Sequence, residues 1–207
     1  VTHDFMEMFL VVIQLGAILA VVVLYFPKLW PFCSPKNGWI KKDTWILWFK
    51  VLVAALPAAI IGLPFDDLLD KLFYNYQTVA VTLILYGVLF IVVENYNKNR
   101  RPRTRKLESL PWSTALLIGV FQVLALIPGT SRSGSTILGA ILLGCSRSVA
   151  AEFSFFLSIP VMFGASLLKL VKFGFHFTGY ELAILIVGML TAFIVSILAI
   201  KFLMNYI

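Results

Sequence analysis

The chain has 207 residues, 60% of them hydrophobic and 13% charged, with a mean hydropathy of +0.95. Soluble domains are about 45–50% apolar and about 25% charged, and a chain this short has no core large enough to hide the excess; a water-soluble globule is excluded, and a disordered, coiled-coil or collagen-like chain with it. The net charge is +7, but in a membrane chain the placement of Lys and Arg informs more than their sum.

The first apolar run, Phe9 to Phe26, holds Gln14 as its one strongly polar residue and closes at Pro27. It is long enough to span a bilayer. Lys28, Lys36, Lys41 and Lys42 follow, around the turn signal Pro35-Lys36-Asn37-Gly38. A second span is predicted from Thr44 to Pro64, with Lys50 close enough to its end to snorkel to the headgroups. The connector Asp66-Asp67-Leu68-Leu69-Asp70 is acidic. A third span, Thr78 to Val93, leads into Lys98, Arg100, Arg101, Arg103, Arg105 and Lys106. Cytoplasmic loops collect Lys and Arg, so both basic loops are placed inside and the acidic one outside. The six basic residues near anionic lipid are read as an orientation signal, and no nucleic-acid partner is expected.

Trp112 to Ile127 is apolar, breaks at Pro128-Gly129-Thr130-Ser131-Arg132-Ser133-Gly134, and resumes as Ser135 to Gly144. Ten helical residues rise about 15 Å, half the hydrocarbon thickness of about 30 Å. The second arm therefore cannot span alone: the segment is a re-entrant hairpin over 112–145 or one broken span. Arg147, in Cys145-Ser146-Arg147-Ser148, favours a return to the cytoplasm. With Ser148 as helix N-cap, Val149 to Val171 spans outward, and Tyr180 to Met204 returns after a turn near Phe173 to Thr178. Of the basic residues only Lys71, Lys169 and Lys172 then fall outside, with Lys50 and Arg132 at membrane depth. The fold class is an all-α integral membrane protein, polytopic helices with a re-entrant helical hairpin. One transmembrane domain covers 1–207, with 1–111 the remainder of a first repeat and its basic loop, and 112–207 a second repeat. An inverted-repeat architecture would be complete if a hairpin preceded Val1 and a span followed Ile207, so the chain reads as truncated at both ends.

Pro128 to Gly134 is where chemistry concentrates. Irregular backbone at membrane depth is tolerated only when buried in protein or lining a wet cavity. Pro128 ends the first arm, and Gly129 and Gly134 allow backbone angles that side chains obstruct. The second arm starts at this loop and directs its free N–H groups and positive dipole end into it. Thr130, Ser131, Ser133, Ser135 and Thr136 add hydroxyls, and Arg132 adds a fork that matches phosphate oxygens. Together these describe an oxyanion site suited to phosphate, although the Gly-Lys-Ser/Thr ending of a Walker loop is missing. The alternative is a strut in which Arg132 pairs with Glu152. Glu152 itself is either an acid stabilised in the first turn of its helix or a partner of Arg132 or of a metal. Gln14 and Gln122 suit interhelical hydrogen bonds or a ligand. His3 and His176 lie outside the spans, and Cys33 and Cys145 make neither a disulfide framework nor a paired metal motif.

The run from Gln122 to Gly134, Gln-Val-Leu-Ala-Leu-Ile-Pro-Gly-Thr-Ser-Arg-Ser-Gly, closely resembles the second signature of the undecaprenyl-diphosphate phosphatases, the bacitracin-resistance membrane phosphatases. Val11 to Val21 and Ala151 to Pro160 are similar to the same family, and the likeness runs in order along the whole chain. It implies an enzyme of the bacterial inner membrane that hydrolyses undecaprenyl diphosphate to undecaprenyl phosphate and inorganic phosphate, recycling the lipid carrier for peptidoglycan and conferring bacitracin resistance. It further implies catalytic roles for Arg132, Ser131 and Thr130, substrate contacts from Gly129, Ser133, Gly134, Gln122 and Glu152, and a divalent cation, Mg or Ca, with no organic cofactor. Its partners would be the polyprenyl diphosphate and membrane lipids, with a homodimer as an option. The glutamate-rich signature and the Ser-Ser-Thr-Gly-His segment of the family's first hairpin do not occur in this chain, so the carboxylates for the cation are not assigned. Ser131 and water both stand as nucleophile. The rival functional reading is a transporter or flippase of lipid-linked phosphate.

Overall fold

The computed structural model describes residues 3–32, 41–73, 75–98, 100–174 and 177–206, without the side chains of His3, Leu63, Asp66, Asp67 and Asp70. Cys33, the expected turn at Pro35-Lys36-Asn37-Gly38, and His176 lie outside the described residues. Within them the regular structure is helical: α1 (His3–Val12), α2 (Gln14–Leu24), α3 (Phe26–Leu29), α4 (Lys42–Phe73), α5 (Tyr76–Asn97), α6 (Trp112–Val123), α7 (Arg132–Leu142), α8 (Arg147–Phe173) and α9 (Gly179–Tyr206). Five stretches, Asp4–Leu24, Lys42–Gly62, Tyr76–Asn97, Arg147–Phe173 and Gly179–Tyr206, are long and apolar enough to cross a membrane. The chain is a multi-pass membrane protein.

The helices overrun the apolar runs that predicted them. In lipid a backbone group released from a helix has no water to turn to, so helices persist through residues that would end them in a soluble protein. α4 is the clearest correction. It continues through Pro57 and Pro64 to Phe73, so the stop expected at Pro64 and the separate connector over 66–70 are replaced by two further helical turns. The first span is in turn two helices that meet at Ile13, where the Gly16 amide donates to the Ile13 carbonyl at 3.0 Å, a tighter step than the regular ladder. Gln14, expected between helices, donates instead to Leu10 one turn back.

Two compact units divide the chain: Val1–Ile40 with Ser158–Ile207, and Lys41–Leu157. In the first, Phe5, Met8, Val12 and Leu185 form a buried cluster. Gly16 lets α2 approach α9 so closely that a Cβ there would lie 2.2 Å from the Met189 carbonyl oxygen, the small-residue packing by which membrane helices gain van der Waals contact without a hydrophobic drive between them. The Ser166 hydroxyl donates to the Val11 carbonyl at 3.2 Å. Thr178 and Glu181 start α9 with a reciprocal capping box: the Thr178 amide donates to Glu181 Oε2 at 3.0 Å, and the Glu181 amide to Thr178 Oγ1 at 3.3 Å.

The second unit holds the hairpin. Gly119 on α6 sits against α4, where a Cβ would fall 2.1 Å from the Ala54 carbonyl oxygen. Gly139 on α7 takes the ring of Phe121 on α6 in the same way, its Cβ position 2.4 Å from Phe121 Cγ. The two arms thus pack on each other, and their ends are tied. Gly144, at φ +88°, turns the chain after α7, and its carbonyl accepts from the amides of Arg103 at 2.8 Å and Thr104 at 3.1 Å. The Ser146 amide donates back to Thr104 at 2.9 Å. Lys50 is buried rather than snorkelling: its ammonium donates to the Glu108 carbonyl at 3.4 Å and lies 5.8 Å from the centre of the Trp112 ring. It anchors the start of α6 where solvated headgroups were expected to receive it. The cap of α8 is Ser146, whose Oγ accepts from the Val149 amide at 3.3 Å, not Ser148, because the helix begins at Arg147.

Cys145, 4% exposed, sits in this knot, and burial pushes its thiol up to about 11 while the Thr104 side chain opposes the shift. Alkylation requires the thiolate. In a Cys33→Ser background in native detergent micelles at pH 8, Cys145 is therefore expected to resist maleimide, and denaturant should release rapid labelling; rapid labelling of that native variant would contradict the hydrogen-bonded knot.

Candidate functional site

A 3-10 turn at Leu124–Leu126 tightens the end of α6, and the chain reverses at Gly129, whose φ of +87° is one that L side chains rarely adopt. Space compels glycine as much as torsion does: a Cβ would lie 2.2 Å from Thr82 Oγ1 and 2.7 Å from the Val79 Cα. The loop is pressed onto the first turns of α5. There Thr82 is bonded back to its own helix, and its Oγ1 lies 3.1 Å from the Pro128 carbonyl, so the hydroxyl pins the loop.

Ser131 has extended backbone angles and caps α7, its Oγ accepting from the Gly134 amide at 3.1 Å. Arg132 is therefore the first helical residue, where an irregular loop and an arm beginning at Ser135 were predicted. The hydroxyls of Ser135 and Thr136 consequently turn away from the expected site. Ser135 donates to the Arg132 carbonyl at 3.3 Å, and Thr136 Oγ1 lies 3.0 Å from the same carbonyl and 2.7 Å from Ser154 Oγ on α8. They stitch α7 to itself and to α8.

What remains facing outward is compact. Ser131 and Ser133 are exposed, with hydroxyl oxygens 3.3 Å apart. The amides of Ser131, Arg132 and Ser133 make no hydrogen bond among the described residues, as expected for the first turn of a helix. The half-buried Arg132 likewise has no hydrogen-bond or ion-pair partner among them. The strut alternative fails on this point: the pair with Glu152 does not form. A cation at the start of a helix, against the positive dipole end, is also poorly placed for stability. Three amides, two hydroxyls and an uncommitted guanidinium at a helix N-terminus form a cradle for an oxyanion.

The structure thus brings Gly129, Thr130, Ser131, Arg132, Ser133 and Gly134 together. It does not bring Gln122 or Glu152 into hydrogen-bond contact with them. Gln122 is 2% exposed on α6 with its amide nitrogen unpartnered among the described residues, and Glu152 is half-buried on α8. Residues from α5 were missed. Beyond Thr82, Tyr86 sets its phenol beside Thr130, whose buried Oγ1 completes no hydrogen bond among the described residues, and the Phe90 ring would lie 3.3 Å from a Cβ on Gly134. Thr82, Tyr86 and Phe90 recur every fourth residue, one stripe of a helix. Two polar members of that stripe in an otherwise apolar span were the available signal.

Helix α5 also measures the hairpin. The tip touches Val79 and Thr82 near its start, while Arg147, just beyond the hairpin, forms a two-pronged pair with Glu94 near its end. Twelve to fifteen residues of helix separate these contacts, about 18–22 Å. The loop therefore stands near the end of α5 opposite the basic segment 98–106, not at the middle of the span.

No group of three or more His, Cys, Asp and Glu side chains stands together among the described residues. The described residues therefore assign no ligand set to the divalent cation that the resemblance implies, and no step below is routed through one.

Over residues 1–207 the chain matches the family described as bacitracin resistance protein BacA. It is 68% identical over 206 residues to an undecaprenyl-diphosphatase of Acetivibrio thermocellus, covering all of this chain and 76% of that protein. It is 64% identical to the undecaprenyl-diphosphatase of Lachnoclostridium phytofermentans, covering 100% of this chain and 75% of the relative, and 65% identical to one of Enterococcus faecalis, covering 99% and 75%. Similarity of this extent establishes that the chain belongs to the bacitracin resistance protein BacA family.

Proposed function

We propose that this chain is an undecaprenyl-diphosphate phosphatase of the bacterial inner membrane, hydrolysing the lipid diphosphate to undecaprenyl phosphate and inorganic phosphate at the Pro128–Gly134 loop. Relatives named undecaprenyl-diphosphatase support the reaction. The observation that carries the site is Arg132, the first residue of α7, with no partner of its own among the described residues.

Phosphoryl transfer depends on positioning and on neutralising charge spread over the transferred group. The guanidinium of Arg132 and the amides of Ser131, Arg132 and Ser133 would take the non-bridging oxygens of the terminal phosphate, preorganised by the cap of Ser131 and the clamp of Thr82. Neutralising charge on these oxygens lowers the repulsion that an incoming water meets at the terminal phosphorus; as its oxygen bonds there, the bond to the bridging oxygen breaks and the lipid phosphate leaves. Among the described residues Ser131 has no base bonded to it: its oxygen accepts from an amide and approaches Ser133. This favours water as the nucleophile and Ser131 as cap and donor.

The distribution of Lys and Arg supports a cytoplasmic position for the base of the hairpin. Because Arg103 and Thr104, ahead of α6, bind Gly144 after α7, both ends of the hairpin share that side, which supports a re-entrant segment whose loop approaches the opposite face.

The test is release of inorganic phosphate from a polyprenyl diphosphate by the purified full-length protein in detergent. Ser131→Asn preserves the cap, since Asn caps as well as Ser, and is expected to keep phosphate release within about tenfold. Ser131→Ala, losing a cap worth about 1 kcal/mol, should fall by a similar factor. A collapse of both variants by about 10⁴-fold would make Ser131 the nucleophile. Translocation of the lipid across sealed vesicles without hydrolysis would overturn the enzymatic reading.

A further inference from the structure

The segment after α5 does more than collect positive charge. Arg100, Arg101 and Arg103 line a cleft of about 230 Å³ together with Asn97, the 141–146 turn and Arg147. The cleft is distinct from the phosphate loop, because it lies at the other end of the hairpin, beside the Gly144 knot.

Its charge is largely uncompensated. Among the acidic residues, Glu94 pairs with Arg147 through both carboxylate oxygens. The side chains of Arg101 and Arg103 have no hydrogen-bond or ion-pair partner among the described residues. Arg100 lies with its guanidinium carbon 3.8 Å from the centre of the Tyr96 ring, a contact that fixes the group without neutralising it. Arg103 is also held, its stem packed 3.6 Å from the Cβ position of Gly144 while its amide donates to the Gly144 carbonyl. Arg100 and the stem of Arg103 are thus placed by the fold beside Arg101, and the fork geometry of a guanidinium matches phosphate oxygens.

The wall of the cleft is aliphatic on one side. Ile141 and Leu142 line it, and Leu142 and Tyr96 are exposed. A ligand with an anionic head and an apolar arm would place the head among the arginines and the arm along Leu142.

We propose that this cleft is a binding site for the phosphodiester headgroup of an anionic membrane lipid, separate from the site of hydrolysis. It holds one lipid at the base of the hairpin and braces the segment that leads into α6.

Native mass spectrometry of the full-length protein, with phosphatidylglycerol, phosphatidylcholine or inorganic phosphate added in detergent, tests this. Phosphatidylglycerol should be retained in preference to phosphatidylcholine. The triple variant Arg100→Gln, Arg101→Gln, Arg103→Gln should lose that preference by about a hundredfold, as three basic residues each worth about fivefold would predict, while phosphate release in detergent stays within twofold. The pair Arg105→Gln, Lys106→Gln, outside the cleft lining, should keep the preference. Equal losses in the two variants would overturn the site in favour of diffuse attraction. Retention of inorganic phosphate without preference for phosphatidylglycerol would overturn the lipid assignment. Circular dichroism and elution volume identify a triple variant that has merely unfolded; in that event the single variant Arg101→Gln, expected to lose about fivefold, decides.

Discussion

Arg132→Gln is expected to lower phosphate release from a polyprenyl diphosphate by about 10²–10³-fold, the usual cost of removing one preorganised donor from developing negative charge. The expectation is sharp because Arg132 has no partner within the described protein to lose. A buried, paired arginine would destabilise the fold when replaced, leaving its partner charged and alone. Here stability should be unchanged or slightly raised, since a cation at the first turn opposes the helix dipole. Kinetics and thermal unfolding of the same variant separate the two roles. A large drop in the folding transition with modest loss of activity would show a structural arginine. Arg132→Lys keeps the charge and loses the fork, so it should recover only part of the rate. Equal activity of Lys, Gln and Arg at this position would remove Arg132 from the site.

Gly129→Ala should damage both fold and activity. Two costs combine. A left-handed backbone costs a residue with a Cβ about 1–2 kcal/mol, and forcing a group into a packed contact costs about 1–3 kcal/mol more. Here the contacts at 2.2 and 2.7 Å are with Thr82 Oγ1 and the α5 backbone, and the backbone cannot swing aside as a flexible side chain does. The loop must lift from α5, which opens the Thr82–Pro128 contact and displaces the cap of α7. Gly87→Ala is the control. It lies on α5 with nothing within 4 Å of its Cβ position, so it should leave stability unchanged or raise it by up to about 1 kcal/mol. Thermal unfolding in detergent beside phosphate release would check both variants. Indistinguishable behaviour of the two would show that the packing of the loop on α5 is not what holds the site.

Much of the site was legible because glycine, proline, hydroxyl residues and one arginine between apolar arms have few explanations in lipid. What misled was the boundary of the helix. Pro128 and Gly129 signalled a break, and the break was extended to Gly134, whereas Ser131 ends it by capping; the small polar residues that look like loop can also occupy a first helical turn. Thr136 shows the same ambiguity, since a hydroxyl in sequence does not reveal whether it faces a ligand or Ser154 on the neighbouring helix. A pair between Glu152 and Arg132 was the alternative that chemistry alone left open, and the geometry does not join those two residues to each other.

The sequence by itself determined the solvent of this protein, its helical class, the approximate positions of its spans and the loop proposed to carry its chemistry. Each follows from composition and local order: apolar length sets a span, and a broken span that holds an arginine marks a place where lipid is not the neighbour. Only the tertiary structure decided which hydroxyls remain free, that Arg132 has no carboxylate partner among the described residues, that Thr82, Tyr86 and Phe90 of α5 form the wall of the site, and that the loop lies near one end of that helix. These depend on contacts between residues distant in the chain, such as Gly129 with Val79 and Gly144 with Arg103, where close approach is set by helices packing on glycine. No local pattern encodes which helix will occupy the space that a missing side chain leaves.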